Sequence, residues 1–481
     1  MLFNSFTFFV FLTLFYALYL CVKSHRSLRL FLILLGSTIF YGWWDWRFLI
    51  LIFVTGTIDF SVALCMQHFS RNSLRRCFLL FSLICNLGML SIFKYSLFFA
   101  ENIERLFKLF GCSVNLQNHI PAFCLILPVG ISFYTFQSLS YTIDVYRKEL
   151  PPTKNYIHFM SYLMFFPQLV AGPIIRAKDL LYRLLEAPFI TAQTVVSGVK
   201  LIVLGFFKKC FIADNVAFFV NTSFAEMFTC NSSVVWWLTM ILFSIQIFCD
   251  FSGYSDIARG VAKILGYRFP LNFNHPYAVT CFRDFWRCWH ISLSSWFMNY
   301  VYIPLGGNVE KYSGRSLINR IRTDFNLFAT MLLSGIWHGA AWNFILWGAV
   351  HGLFLSFERL IKIPQCANKK ITHVIKWMLM LFLIPQTWVF FRAENFEQIK
   401  HIFRSLYVYA PKIEENEIFN SIPFLIFFIL LELYLYLRPL RFFSDKLRCF
   451  VKRYEAVGFA ILGIITVFFR GAGNEFIYFQ F

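Results

Sequence analysis

The feature that most constrains the fold of this chain is its succession of long apolar runs. Of its 481 residues, 58% are hydrophobic and only 14% are charged, whereas about a quarter of the residues in a typical soluble domain are charged. A helix needs about 20 apolar residues to cross the hydrocarbon core, so the chain has room for about ten or more crossings. Because lipid offers the backbone no hydrogen-bond partners, such runs form helices. The sequence therefore predicts an all-α polytopic membrane protein.

The predicted domain organisation is simple. No stretch is long and polar enough to form a separate soluble domain, and there is no internal repeat, low-complexity tract or flexible linker. A repeat architecture or a string of independent modules would show such features. We therefore predict one integral membrane domain over residues 1–481.

The basic residues collect in particular loops between the apolar runs. The formal net charge is +19, but this clustering is typical of the positive-inside rule and not of a nucleic-acid interface. The first run, residues 2–22, carries no charge and precedes one basic cluster, and a second cluster follows two further runs. Both clusters fall on the same side, which predicts an N-terminus outside the cell. The first run has no small-x-small cleavage site after it and is too long for a typical signal sequence, which predicts an uncleaved anchor. The residues that define this orientation are Lys23, Arg26, Arg29, Arg71, Arg75, Arg76, Arg147, Lys148 and Lys154, with further groups at residues 359–370 and 438–453.

Three segments depart from plain membrane spans. Residues 165–176 place two prolines and a glycine in an apolar run, which predicts a broken or re-entrant element that is buried in protein or lines a wet cavity. Residues 249–256 insert Asp250, Asp256 and a glycine after an apolar span, and we interpret them in the same way. Helix capping and loop ordering are the simplest roles for the two aspartates. Residues 179–187 carry leucines on one helical face, which predicts a helix lying along the membrane interface.

Cysteine spacing and catalytic motifs indicate no metal site. Thirteen cysteines are scattered singly, with no C-x-x-C pair, and we interpret most of them as small packing residues. Cys112 and Cys230 are the two in predicted outer loops, so a disulfide, if one forms, would join these two. There is no H-E-x-x-H pair, no Walker loop and no G-x-S-x-G elbow. The sequence thus supports neither metal-dependent chemistry nor nucleotide hydrolysis.

Residues 281–308 alternate aromatic bulk with charge and contain no clean span. The predicted topology places this stretch on the cytosolic side. Guanidinium groups bind phosphate bidentately, so the stretch could form a funnel for an anionic, phosphate-bearing donor. An interfacial aromatic belt with snorkelling arginines is the alternative. The side chains concerned are Arg283, Asp284, Trp286, Arg287, Trp289 and His290.

His338 is a titratable side chain inside a stretch, residues 325–357, that otherwise has the composition of membrane-buried helix. Such a residue marks a polar cavity or a reaction. If the chain enters the membrane near Phe325, it advances by about 20 Å before His338 and passes the midplane. It then returns through Trp342. A packed, hydrogen-bonded core histidine is the alternative interpretation, and we assign that simpler role to His351.

Several motifs in this order resemble the membrane-bound O-acyltransferase family, and more closely its bacterial alginate O-acetyltransferase branch. The resemblance is strongest at Trp337-His338-Gly339 with Asn343, and at residues 284–294. Other matching segments lie at residues 127–137, 168–173, 250–256, 302–308 and 476–481. Cys288 departs from the pattern, because that branch more usually has arginine there.

The resemblance implies a helical membrane body, with re-entrant and interfacial helices, around a central tunnel. It implies that His338 is the catalytic histidine and that His290 is a second histidine near the funnel. Histidine can take a proton from a hydroxyl near neutral pH, which suits acyl transfer from a thioester. We assign donor binding to Arg283, Trp286, Arg287 and Trp289, and the tunnel to Asp250, Trp337 and Asn343.

The function expected from this resemblance is transfer of an acyl group, most simply acetyl, from a cytosolic thioester to a polysaccharide outside the membrane. The donor would be acetyl-CoA or another acyl thioester, with no bound cofactor. The acceptor would be a polymer such as alginate or peptidoglycan, reached through an extracytoplasmic esterase-like partner. A multi-pass location in the lipid of a bacterial inner membrane is implied. Two alternatives are D-alanyl transfer to a teichoic-acid-like polymer, and a transporter or flippase without acyl chemistry.

Overall fold

The computed structural model describes residues 1–170, 172–225, 232–309, 313–314, 316–360, 369–407, 417–437, 445–473 and 476–477. Within these ranges the chain forms helices and connecting segments, and no β-strand. This confirms the all-α prediction. The residues divide into two compact units, one made of Met1–Gly198 and Ala258–Pro270, the other of Val199–Ile257 and Leu271–Phe481.

The first unit contains the amino-terminal helices. They are α1 (Phe6–Val22), α2 (Arg26–Asp45), α3 (Leu49–His68), α4 (Asn72–Leu90), α5 (Ser96–Leu109), α6 (Ile131–Tyr146), α7 (Tyr156–Leu163), α8 (Phe166–Leu169) and α9 (Ala177–Leu180). The chain passes from one unit to the other within α10 (Ala192–Phe206), within α12 (Ser233–Ile264) and between Pro270 and Leu271.

The second unit contains the remaining helices. They are α11 (Asp214–Ala225), α13 (Phe282–Cys288), α14 (Ile291–Phe297), α15 (Leu317–His338), α16 (Trp342–Leu360), α17 (Lys369–Arg392), α18 (Phe396–Tyr407), α19 (Ile422–Leu437) and α20 (Asp445–Phe468). Two π-helical stretches also belong to this unit, at Phe207–Ala213 and Met298–Tyr302.

Five helical stretches in the described part of the chain are long and apolar enough to cross a membrane. They are Arg26–His68, Asn72–Leu109, Ser233–Ile264, Lys370–Arg392 and Phe419–Leu437. The first is 43 residues long and combines α2 and α3, which is longer than one crossing requires. These helices support a membrane protein, while the count of ten or more crossings stays a prediction.

Two arginines from the predicted cytosolic clusters are buried and bind backbone carbonyls. Arg75 donates to the carbonyl oxygens of Val145 and Tyr146 at 3.1 and 2.7 Å, at the end of α6, where a cation complements the helix dipole. Arg29 donates to the carbonyl oxygen of Glu186 at 2.7 Å. These residues therefore stabilise the fold as well as contributing to the charge bias of the loops.

The two predictions for residues 165–187 have different outcomes. The predicted break at 165–176 is confirmed, because α7 ends at Leu163 and only the four-residue α8 follows before an extended stretch. The continuous interfacial helix predicted at 179–187 is wrong. Its leucines Leu180, Leu181 and Leu184 are buried in the protein, on α9 and a separate 3₁₀ turn. An apolar helical face has the same periodicity whether it meets lipid or protein.

Helices α15 and α16 form a close hairpin through two glycines. A Cβ atom on Gly335 would lie 3.0 Å from the Cα atom of Gly348 and would collide with the carbonyl oxygen of Phe344. A Cβ atom on Gly348 would lie 2.5 Å from the carbonyl oxygen of Met331. The hairpin confirms that the chain reverses direction between His338 and Trp342, while its passage beyond the membrane midplane stays a prediction.

We predict that Gly335→Ala separates the two helices and lowers the free energy of unfolding by about 1–3 kcal/mol, the usual cost of overpacking. Gly88→Ala in α4 is the control, because a Cβ atom there meets nothing within 4 Å. Alanine is the better helix former by up to about 1 kcal/mol, so the control should be as stable as the parent or more stable. Thermal unfolding of both variants in detergent measures the difference. Equal stability of the two variants would contradict the proposed close packing.

Candidate active site

His338 is the last residue of α15 and lies at the turn of the hairpin. The side chain is buried and is surrounded by aromatic rings. Its ring centroid is 4.8 Å from that of Trp347, 5.0 Å from that of Trp337 and 5.3 Å from that of Phe391. The turn is tight at Gly339, where a Cβ atom would collide with the ring of Phe344. The imidazole is thus held in a defined position on a rigid support.

His290 lies in the junction between α13 and α14, in the left-handed region at a φ of 41°. Its ring packs 4.5 Å from that of Phe251 and 6.4 Å from that of Trp337. The side-chain oxygen of Asn272 lies 3.3 Å from its Nδ1 atom. Trp337 therefore contacts both histidines. Burial lowers the pKa of His290 to about 3, so its ring is neutral at cellular pH.

A cavity of about 990 Å³ opens between α13, α14, α15 and α16. Arg283, Trp286 and Arg287, three of the four predicted donor-binding residues, line it together with Arg359. The other lining residues are largely apolar and include Met298, Ile303, Leu327, Met331 and Leu355. Ser334 also lines the cavity and precedes His338 by one helical turn, a rise of about 6 Å. The cavity thus combines basic side chains with apolar walls and ends close to the histidine.

The remaining predicted site residues lie in packed surroundings. Trp289 is buried 4.9 Å from Trp388, ring to ring, and does not line the cavity. Asn343 donates to the carbonyl oxygen of Ala393 at 2.7 Å and so anchors α16 to the end of α17. Within the described ranges, no group of three or more His, Cys, Asp and Glu side chains is arranged to hold a metal ion. Cys112 is exposed, whereas Cys230 lies outside the described residues, so their disulfide stays a prediction.

The interpretation of residues 249–256 is wrong. The helix α12 runs through them without a break, and the two aspartates are neither caps nor loop residues. Lys209 lies 2.7 Å from Asp250 and 2.9 Å from Asp214, while Lys208 lies 3.0 Å from Asp256, all between nitrogen and carboxylate oxygen.

Sequence analysis missed this network because its lysines lie about forty residues upstream, in the π-helical stretch Phe207–Ala213. Two adjacent lysines in an apolar run were the available signal, since buried charges need partners. The backbone N–H of Ile477 also donates to Asp250, at 2.7 Å. Asp250 is therefore tied into an ion-pair network rather than placed on the cavity.

We predict that Lys209→Met unfolds or severely destabilises the protein, because it leaves Asp214 and Asp250 buried without their cation. Breaking such a pair costs about 3–5 kcal/mol. Lys400→Met is the control, since Lys400 pairs with Glu397 at 3.2 Å on the surface, where an ion pair contributes at most about 1 kcal/mol. Folded yield and thermal unfolding in detergent distinguish the two variants. A Lys209→Met protein as stable as the control would show that the network is dispensable.

Comparison with known proteins identifies the family. The model of the MBOAT, membrane-bound O-acyltransferase family, matches residues 146–373, a stretch that includes His290, His338 and the lining of the cavity. The probable alginate O-acetylase AlgI of Pseudomonas aeruginosa is 37% identical over 413 residues, which cover 85% of this chain and 75% of that protein. The chain belongs to the membrane-bound O-acyltransferase family. As a member of this family it is a membrane O-acyltransferase, as the sequence motifs predict.

Two further relatives differ in how much of this acyltransferase they match. The peptidoglycan O-acetyltransferase of Helicobacter pylori is 32% identical, over 84% of this chain and 80% of its own length. The teichoic acid D-alanyltransferase of Bacillus subtilis is also 32% identical, but over 50% of this chain and 61% of its own length. Similarity to the O-acetyltransferases therefore extends through most of the chain, and similarity to the D-alanyltransferase through half of it.

Proposed function

We propose that this acyltransferase passes an acetyl group from a cytosolic thioester, such as acetyl-CoA, toward a polysaccharide outside the membrane. The observation that carries the proposal is the position of His338, at the turn of the α15–α16 hairpin and one helical turn beyond a cavity with arginines in its wall. The proposal treats residues 1–481 as one integral domain.

The composition of the cavity suits an amphiphilic, anionic donor. Arg283 and Arg287 have side chains that are 66% and 68% exposed and pair with Asp284 at 3.7 and 3.3 Å. A phosphate from solution would replace that carboxylate as their partner. Guanidinium groups bind phosphates bidentately. The apolar walls beyond them would receive the uncharged part of the donor. Trp289 packs behind the cavity wall, so we propose that it supports Phe285 and Trp388 and does not contact the donor.

The proposed chemistry at His338 is general base catalysis. The imidazole accepts the proton of the acceptor's hydroxyl group as that group attacks. The hydroxyl oxygen forms a bond to the thioester carbonyl carbon, and the carbon–sulfur bond breaks. The thiolate leaves with the proton that the imidazole returns, so the products are an ester and a free thiol. Hydrogen-bond reach between base and hydroxyl is the geometric requirement. His290, across Trp337 from His338, would orient the donor.

The acetyl group must reach an acceptor outside the membrane, which requires a tunnel through this protein and a partner that takes up the group. We propose that a tunnel leads past Trp337 and Asn343 to the outer face of a bacterial inner membrane, in a protein with about ten or more crossings and an external N-terminus. A polysaccharide chain is too large for a cavity of about 990 Å³. An extracytoplasmic esterase-like partner would therefore take up the acetyl group and modify a polymer such as alginate or peptidoglycan.

Two other functions are less well supported. D-Alanyl transfer to a teichoic-acid-like polymer is favoured only by a relative that matches half of the chain. A transporter or flippase would also explain ionisable groups inside a membrane, but membership of an acyltransferase family supports acyl transfer rather than transport. Purified protein that consumes acetyl thioester and not an aminoacyl thioester would support the acetyl donor over the aminoacyl one.

We predict that His338→Gln abolishes polymer acetylation, with kcat at least about a hundredfold lower, because removing a general base costs about two to four orders of magnitude. Glutamine keeps a polar side chain of similar size, so the protein should elute as the parent does in detergent. His119→Gln is the control, since His119 is exposed at the end of the short 3₁₀ helix Gln117–His119. Ester-bound acetate on polymer extracted from cells measures the effect. Full acetylation by His338→Gln would exclude the assigned role.

We predict that replacing Arg283 and Arg287 together with alanine raises the KM for the donor several-fold with little change in kcat. Each exposed charge contributes about 1 kcal/mol or less, and the difference from the parent should shrink in 1 M salt, where charges are screened within about 3 Å. Arg404→Ala, another exposed arginine, is the control. Initial rates across donor concentrations at two salt concentrations provide the test. An unchanged KM would argue against donor binding at this wall.

A further inference from the structure

His351 is a fully buried histidine whose ring nitrogens are unsatisfied. It lies on α16 with no solvent exposure, and neither Nδ1 nor Nε2 has a hydrogen-bond partner among the residues that the structure describes. The sequence-based interpretation of a packed, hydrogen-bonded core histidine is therefore half right, since the packing is present and the hydrogen bonds are not. A buried polar atom left without a partner costs about 1–3 kcal/mol and calls for a functional explanation.

His351 lies behind the cavity wall, next to the lining residue Trp286, and does not itself line the cavity. Unlike Trp289, which is also behind the wall, it has polar atoms without a partner in the described part of the chain. The ring centroid of His351 lies 5.1 Å from that of Trp286 and 4.7 Å from that of Trp347. Trp347 in turn contacts the ring of His338 at 4.8 Å. The indole nitrogens of Trp286 and Trp347 are likewise buried without a partner in the described part of the chain. Trp286, Trp347 and His351 are thus neighbours, and each has a buried side-chain nitrogen without a partner among the described residues.

His158 shows how this chain buries a histidine that has only a structural role. It is as deeply buried as His351, but its Nδ1 atom lies 3.0 Å from the hydroxyl of Thr153 and its Nε2 atom 2.6 Å from the carbonyl oxygen of Leu181. Both nitrogens therefore have partners from the protein itself. The contrast indicates that the partner of His351 is not among the residues that the structure describes.

We propose that His351 is a donor-binding residue that forms a hydrogen bond with an amide of the pantetheine arm as the thioester passes from the cavity toward His338. Such an arm alternates amide groups with methylene segments. Isolated polar atoms set in aromatic walls, here the rings of Trp286, Trp347 and Phe285, complement that pattern. The inference rests on the proposed function, because it requires a thioester donor in this cavity.

The test measures binding of two non-reactive probes by the purified full-length protein in detergent. The probes are analogues of acetyl-CoA and of acetyl-pantetheine in which a methylene group replaces the sulfur. The acetyl-pantetheine analogue carries the arm that CoA shares with acyl carrier proteins, so the pair separates the arm from the nucleotide. His351→Phe keeps an aromatic ring of similar size and removes both nitrogens. We expect both probes to bind roughly tenfold more weakly, the effect of about one lost hydrogen bond.

Thermal stability distinguishes a donor-binding histidine from a purely structural one. His351→Phe removes unsatisfied atoms, so its apparent Tm should equal or exceed that of the parent. His158→Phe is the matched control, and it should lower the Tm, because it leaves Thr153 and a carbonyl unsatisfied, while binding both probes as the parent does. His351→Asn, which keeps hydrogen-bonding atoms, should restore part of the affinity. Trp286→Phe provides an independent variant and should also weaken binding.

The outcomes separate this inference from the proposed function. If the parent binds the probes, and His351→Phe and Trp286→Phe both bind them with affinities within twofold of the parent, the inference alone is overturned. That result would indicate a resident water or plain packing at this position. A parent protein that binds neither probe would overturn the thioester function and, with it, this assignment.

Discussion

The structure depends on one constraint, which is that polar groups buried in an apolar protein must find partners within the protein or from a ligand. Lys209 meets this constraint with two carboxylates, and Arg29 and Arg75 meet it with backbone carbonyls. The glycine contact between α15 and α16 leaves no space there for polar groups or water. Where the constraint is met, the side chains hold helices together. Where it is not met within the described residues, as at His351, we have proposed that a bound molecule supplies the partner.

The prediction from sequence succeeded where the signal was local. Apolar runs of membrane length predicted helices. Two prolines and a glycine predicted the break at residues 165–176. The length of the apolar stretch around His338 predicted a return through Trp342. Each of these features is determined by neighbours a few residues away, so a single sequence contains the information.

The prediction failed where the deciding partner lies far along the chain. Asp250 and Asp256 suggested a break, and only the lysines at 208 and 209 explain how a helix carries two acids through its buried part. The leucines at 180–184 suggested a helix at the lipid surface, because periodicity does not reveal which neighbour covers a face. The cavity was foreseen as a basic, aromatic stretch, but part of its apolar wall comes from α15 and α16. Which side chains of the stretch face those two helices, and that Trp289 does not line the cavity, could not be read from spacing.

The glycine pair in the hairpin has a further consequence for how this protein can change over evolutionary time. With α15 and α16 fixed against each other, the imidazole of His338 sits on a stiff two-helix platform, whereas the short helices α13 and α14 that complete the cavity are joined to it by side-chain contacts. Substitutions in those short helices can reshape the entrance for a different carrier of the acyl group without displacing the histidine. A common catalytic centre can thus persist while the molecules delivered to it diverge.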